Sequence, residues 1–113
     1  MRHDDLVYIS HMLDSARKAR DKIEGKTRED YDEDENLRLA LGYLVQIIGE
    51  AASQVSRPFR LAHPEIPWKG VIGTRHHVVH DYLDVDYDII WNAVTLHLPP
   101  LILSLEKISK PAP

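Results

Sequence analysis

The chain contains no cysteine, which excludes disulfides, thiolate metal sites and thiol catalysis. It also lacks an apolar run approaching the roughly 20 residues that a membrane-spanning helix needs. Its N-terminus, Met1-Arg2-His3-Asp4-Asp5, carries acids where a signal peptide would need an apolar core. No segment shows the alternation and β-branched density of a sheet. These absences predict a soluble, cytoplasmic, all-α protein.

The composition is that of one globular domain over residues 1–113, with 43% hydrophobic and 28% charged residues. A net charge of −4 argues against a general nucleic-acid binder. Residues 57–80 differ, because they carry four basic residues against the single acid Glu65, a net charge of +3 before any histidine is counted. A positive patch of this kind can attract phosphates, although ordinary charge fluctuation in a short loop would look the same.

Apolar residues recur at intervals of three and four in four segments, which predicts helices over about 4–24, 35–55, 68–83 and 87–108. Gly25 is the expected C-terminal cap of the first helix and Asp86 the expected N-cap of the last. We interpret the acidic run 29–35 as a solvated connector and 56–67, with its three prolines, as a loop. Pro99-Pro100 predicts a kink at about 96–98. The expected architecture is an antiparallel bundle of four main helices.

The most informative segment is Arg75-His76-His77-Val78-Val79-His80-Asp81-Tyr82. Arginine can hold a phosphate in its planar fork, and histidine can move protons near neutral pH. On a helical wheel Arg75 falls in the middle of an apolar stripe, where a bare charge is costly. Three interpretations follow: the helix starts at Arg75 with Thr74 as N-cap, Arg75 reaches to the rim, or this face lines a wet cleft between subunits.

A continuous helix would separate Arg75 and His80 by about 140°, so the two side chains would not point together. A wrapped arginine stem, a distorted helix or the second subunit of a two-fold dimer would reconcile them. Tyr82 would lie about 20° from Arg75.

The histidines also allow a metal site, since His76 and His80 are four residues apart and His77 could join them. No glutamate follows His76 as it does in the metalloprotease pattern. We expect no metal and no cofactor. Exposed histidines without a function are the simplest alternative.

The chain resembles the HepT-like toxins of the HEPN superfamily, the toxins of type VII (HepT/MntA-type) toxin–antitoxin systems. Arg75-x4-His80-x-Tyr82 is similar to their Arg-x4-His-x-Tyr signature. Where many relatives have a small polar residue after the arginine, this chain has His76. The other similar segments lie in order along the chain: GYLVQIIGEAA at 42–52, HPEIPWKGVIG at 63–73, DVD at 84–86, Trp91 and Leu98-Pro99.

The resemblance implies a dimeric helical bundle and a metal-independent endoribonuclease that acts on RNA. It makes Arg75 and His80 the catalytic candidates, with His76 and His77 as possible auxiliary groups. It also implies a minimal nucleotidyltransferase as antitoxin partner, which adds AMP to Tyr82. The alternative is a non-catalytic binding or regulatory companion of a nucleotidyltransferase, and a purely structural dimer is a third option.

Overall fold

A computed structural model of the chain describes residues 3–81 and 84–109, with side chains over 4–74 and 85–109. Two short strands join its helices. In chain order the elements are α1 (His3–Ile23), α2 (Arg28–Glu33), α3 (Glu35–Gln54), α4 (Arg57–Ala62), α5 (Trp68–Val78), β1 (Val79–Asp81), β2 (Asp84–Val85), α6 (Tyr87–Asn92), a π-helical turn (Ala93–His97) and α7 (Leu98–Ser109).

The long helix α3 is the centre of the bundle and contacts α1, α5 and α6, while α1 also packs against α7. Its apolar middle is therefore covered within the chain, as Leu41, Val45 and Ile48 are all buried. Gly42 allows a close approach to α6, because a Cβ there would lie 3.2 Å from Ile90 Cδ1. The α6, π-turn and α7 segments form the fourth main helix. The expected all-α bundle of four main helices is confirmed.

The predicted helix ends agree with local capping chemistry. Gly25 has a φ of 76°, the left-handed conformation that glycine adopts without strain just after a helix. The Asp86 carboxylate accepts hydrogen bonds from the backbone N–H groups of Asp88 and Ile89, both at 3.1 Å. The acidic connector contains a helical turn, α2, which begins with a reciprocal capping box between Thr27 and Asp30. Hydrogen bonds from the Thr27 backbone and side chain lower the pKa of Asp30.

The last helix contains a π turn shortly before its proline pair, whereas the sequence predicted a kink at about 96–98. Pro99 and Pro100 lack the N–H groups that an α-helix would use at these positions. The chain passes through the π turn Ala93–His97, and the Leu98 N–H bonds to the Ala93 carbonyl.

The combined helix, 23 residues from Tyr87 to Ser109, is long and apolar enough to cross a membrane by length and composition alone. No such segment was expected from the sequence, and this expectation is wrong for length and composition. One face of this helix is part of the protein core, through Ile90, Val94, Leu98, Leu101, Ile102 and Leu105.

Two predicted elements are wrong in part. Residues 56–67 were expected to be a loop, but 57–62 form the short helix α4. Pro58 lies in its first turn, where no helical N–H is lost, and the Ser56 hydroxyl caps the Phe59 N–H at 3.3 Å. The third helix ends at Val78 instead of 83, since Val79 pairs with Val85 in an antiparallel β1–β2 ladder.

Candidate functional site

The signature segment lies across a helix-to-strand junction. Arg75, His76 and His77 belong to the last turn of α5, and His80 lies in β1. The helical wheel therefore does not apply from Arg75 to His80, and the expected 140° separation is wrong because no helix connects the two residues. The helical wheel also gives no angle between Arg75 and Tyr82, because α5 ends at Val78 and Tyr82 lies outside the described residues.

The structure does not test the predicted roles of these residues. Tyr82 lies outside the described residues, as do the side chains of Arg75, His76, His77 and His80. One interpretation of Arg75 is nevertheless wrong, because α5 begins seven residues before it, at Trp68. Thr74 is thus inside the helix instead of capping it, and its hydroxyl donates to the Gly70 carbonyl at 2.7 Å.

The start of α5 is fixed by the loop that precedes it. The Trp68 indole is buried and its Nε1–H donates to the His63 carbonyl at 3.0 Å. Ile66 is 2% exposed and anchors the middle of the loop in the core. The His63 imidazole packs on Phe59, with ring centroids 4.5 Å apart. These contacts hold α4 and the first turn of α5 in a defined relation.

A buried carboxylate fixes the other end of α4. Asp5, in the first turn of α1, is 3% exposed. Its two oxygens accept hydrogen bonds from the Ser56 backbone N–H at 2.7 Å and the Ser56 hydroxyl at 2.8 Å. Such charge-assisted bonds are among the stronger ones in a protein. The residue before α4 is therefore tied to α1 across 51 positions of sequence.

A solvent-open groove of about 830 Å³ lies between α4 and α5, and we call it the basic groove. It contains three of the four cations of the basic segment that the sequence indicated. None of its described lining residues is acidic. They are Arg57, Arg60, Leu61, Pro64, Ile66, Pro67, Trp68, Lys69, Gly70, Ile72 and Gly73.

A second, more enclosed cavity of about 320 Å³ lies on the other side of Gly70, between α3, α5 and the last helix. Its walls are mainly apolar, with Thr74 and His97 as polar groups. Sequence reasoning did not single out His97. The nearest signal in the sequence was the proline pair, which follows the π turn that contains His97.

Metal binding finds no support in the part of the chain whose side chains are described. Over 4–74 and 85–109, no group of three or more histidine, aspartate or glutamate side chains could hold a metal ion. The signature histidines are outside this range.

The family described as ribonuclease HepT-like matches residues 12–108 of the chain. A relative provisionally named as an RNase, from Caldanaerobacter subterraneus subsp. tengcongensis, is 32% identical over 101 residues, which are 89% of this chain and 90% of the relative. Another, provisionally named as an RNase, from Methanocaldococcus jannaschii, is 33% identical over 93% of this chain and 96% of its own length.

A third relative, from Thermococcus cleftensis and provisionally named ribonuclease HepT, is 33% identical over 87% of this chain and 93% of its own length. No solved structure matches the chain significantly. The family match covers the bundle from within α1 to near the end of α7 and includes both the signature segment and the basic groove. The chain belongs to the ribonuclease HepT-like family of the HEPN superfamily, and its enzymatic class is that of a ribonuclease.

Proposed function

We propose that this protein is the toxin of a toxin–antitoxin pair and a metal-independent endoribonuclease that acts through Arg75 and His80. The observation that carries the proposal is the family match, which contains the complete Arg75-x4-His80 spacing. The junction between α5 and β1 supports it, because a chain that leaves the helix between these two residues is free of the helical angle that would separate them.

The chemistry requires no metal ion, because RNA contains its own nucleophile. The 2′-hydroxyl loses its proton and attacks the adjacent phosphorus, and the bond from phosphorus to the 5′-oxygen breaks as that oxygen gains a proton. The products are a 2′,3′-cyclic phosphate and a free 5′-hydroxyl. His80 would transfer one of the two protons, and Arg75 would balance the charge of the pentacoordinate phosphate. The second proton transfer needs another group, from His76, His77 or the second subunit of a dimer.

The proposal is tested by RNA cleavage with the wild-type protein and three single variants. Arg75→Ala and His80→Ala should each lower the cleavage rate about a hundredfold or more, the usual scale for a lost charge clamp or acid–base group. His11→Ala is the matched control, since His11 is an exposed histidine on α1, outside the signature, and its loss should leave the rate unchanged. Equal rates for all four proteins would remove Arg75 and His80 from the mechanism.

We further propose that a minimal nucleotidyltransferase is the antitoxin and that it inactivates the protein by adding AMP to Tyr82. The modified residue would be two positions from His80 and would carry a negative phosphate beside the proposed catalytic groups. It would then compete with the RNA phosphate through bulk and charge. This regulation is consistent with the family's toxin–antitoxin pairing.

Intact-mass measurement after incubation with the partner, ATP and magnesium tests the modification. The wild type should gain the mass of one or more AMP groups and lose RNA cleavage, while Tyr82→Phe should gain none and keep much of its activity. Tyr43→Phe is the matched control, because Tyr43 is 66% exposed on α3 and is thus accessible without being in the signature. A mass gain that persists in Tyr82→Phe would assign the modification to another residue.

A further inference from the structure

The three cations of the basic groove have no ionic partner among the described residues. None of the ion pairs within 4–74 and 85–109 involves Arg57, Arg60 or Lys69. The Nε of Arg60 is shielded from solvent and finds no hydrogen-bond acceptor in that part of the chain. A shielded donor without an acceptor is costly, so an anion that enters the groove would gain a hydrogen bond that the free protein does not make.

Two glycines leave part of the α5 wall of the groove without side chains. Gly70 and Gly73 lie one turn apart on this helix and both line the groove. A Cβ added at either position would meet no atom within 4 Å, so helix packing does not require these glycines. Glycine in a helix interior lowers stability, and its use where nothing packs against it leaves the helix backbone open to a bound molecule.

The described lining of the groove ends on α5 two residues before the signature, at Gly73. Lys69 is in the first turn of this helix, and Gly73 is two residues before Arg75 on the same helix. At 1.5 Å per residue, Lys69 and Arg75 are about 9 Å apart along the helix axis. Position 75 is also about 120° from Lys69 around the helix, so a strand bound in the groove would have to curve around α5 to reach the arginine.

We propose that the basic groove binds the phosphates of the RNA strand on one side of the bond to be cut and guides the strand to Arg75. This inference rests on the proposed ribonuclease function. Arg57 and Arg60, three residues apart on α4, line one wall, and Lys69 lies on the α5 side. The strand passes over the bare backbone of Gly70 and Gly73.

The arrangement favours a nucleic-acid strand over an acidic protein. Its cations line a groove from both α4 and α5, and Lys69 lies on the same helix as the proposed catalytic arginine. The walls are preformed, because the buried Asp5 holds the start of α4 and the Trp68–His63 hydrogen bond holds the start of α5. A preformed groove lowers the entropic cost of binding a flexible strand.

The test compares two double variants that remove the same charge. Arg57→Gln/Lys69→Gln removes two cations from the groove. Lys22→Gln/Lys107→Gln removes two exposed lysines of α1 and α7 that are far from the groove in the sequence and form no ion pair among the described residues. The ligand is a fluorescent RNA of about 12 nucleotides with 2′-O-methyl groups, which cannot be cleaved, so its binding does not depend on activity. Affinity is measured by fluorescence anisotropy over a range of salt concentrations.

The groove variant should bind this RNA about tenfold more weakly at low salt. The slope of log affinity against log salt should be smaller by about 1.4, or 0.7 for each lost phosphate contact. The control variant should match the wild type in both quantities. With cleavable RNA of the same length, the groove variant should show a higher KM and little change in kcat, while a dinucleotide should be cut equally by all proteins because it does not reach the groove.

Unchanged RNA affinity and salt slope in the groove variant would overturn the proposal, as would an equal loss in the control variant. If the groove variant lost only its binding to a partner protein, the groove would be a protein-docking surface and the proposal would be wrong. A wild type that binds the methylated RNA through the groove but cuts no RNA would contradict the proposed function and leave this inference standing.

Discussion

Tyr31 shows how one side chain connects the acidic connector to the bundle. It lies between acids in the sequence, yet it is fully buried, and its hydroxyl donates to the Tyr87 carbonyl at 2.7 Å. Its ring packs on Trp91 with centroids 4.8 Å apart. Arg28 strengthens the same junction through ion pairs with Asp32 and Asp88. A charge-based interpretation of 29–35 as a solvated connector could not reveal this, because the partners are nearly 60 positions away.

Burial raises the pKa of Tyr31 well above its ordinary value near 10. The folded state therefore favours the neutral phenol, and its contribution to stability is complete below about pH 10 and is lost as the pH rises through the folded value. We predict that the free energy of unfolding falls as the pH rises above about 10, by up to about 1.4 kcal/mol per pH unit from this group.

The variant Tyr31→Phe isolates this effect. It should be less stable at neutral pH by about 1 kcal/mol, since the hydrogen bond to the Tyr87 carbonyl is lost, and its stability should fall less steeply at alkaline pH. Urea unfolding at neutral and at alkaline pH measures both the loss of stability and its dependence on pH. Parallel decreases for the two proteins would show that another group causes the alkaline loss.

At the scale of elements, the sequence predicted best where the signals are local. The bounds of α1 and α3 and the caps Gly25 and Asp86 depend on neighbours within a turn, and the structure confirms them. The end of α5 depends on the pairing of the next residue, Val79, with β2. The local hydrophobic pattern cannot predict such pairing. Val78 and Val79 suit a helix face and a strand equally, so the helical periodicity predicted a helix that ends at 83 instead of at Val78.

The short helix α4 and the π turn show the same limit for proline. Pro58 suggested a break because its position relative to a helix start was unknown, and only the Ser56 cap makes it a first-turn proline. Pro99-Pro100 predicted a kink at about 96–98, whereas the structure has a π turn that begins a few residues earlier, at Ala93. The net charge of the basic segment could be read from the sequence, whereas the arrangement of its cations around one groove depends on how the loop between α4 and α5 folds.

The glycines of α3 and α5 should respond differently to alanine. Gly73→Ala should raise the free energy of unfolding by about 0.5–1 kcal/mol, because the added Cβ meets nothing and the helix gains propensity. Gly42→Ala should gain less or lose stability, since its Cβ would lie 3.2 Å from the buried Ile90 side chain. Thermal unfolding of the two variants measures the difference. A Gly42→Ala protein at least as stable as Gly73→Ala would contradict the packing described for α3 and α6.

At the scale of the whole molecule, the apolar middle of α3 is buried within the chain and forms the centre of the bundle. Other apolar side chains remain exposed: Leu39 and Tyr43 on α3, and Leu96 and Leu103 on the last helix, each between 55% and 66% exposed. The first pair lies one turn apart and the second two turns apart, as contacts on one helix face would.

We predict that the protein is a two-fold dimer in solution, in which a second subunit could supply the missing proton-transfer group. Sedimentation velocity at micromolar concentration should give the mass of two chains, about twice 13.0 kDa. Replacing Leu96 and Leu103 with aspartate, or Leu39 with aspartate, would locate the interface. A folded, active monomer at that concentration would show that one chain contains the whole site.

The central claim is that this chain cuts RNA by internal attack of the 2′-hydroxyl, without a metal ion. Its most direct test is to digest RNA with purified protein in EDTA and to identify the product ends by mass spectrometry, with His80→Ala protein purified in parallel to exclude a contaminating nuclease. We predict 2′,3′-cyclic phosphate and 5′-hydroxyl ends from the wild type and almost no product from the variant. Cleavage that appears only when a divalent ion is added, or products with 5′-phosphate ends, would contradict the mechanism.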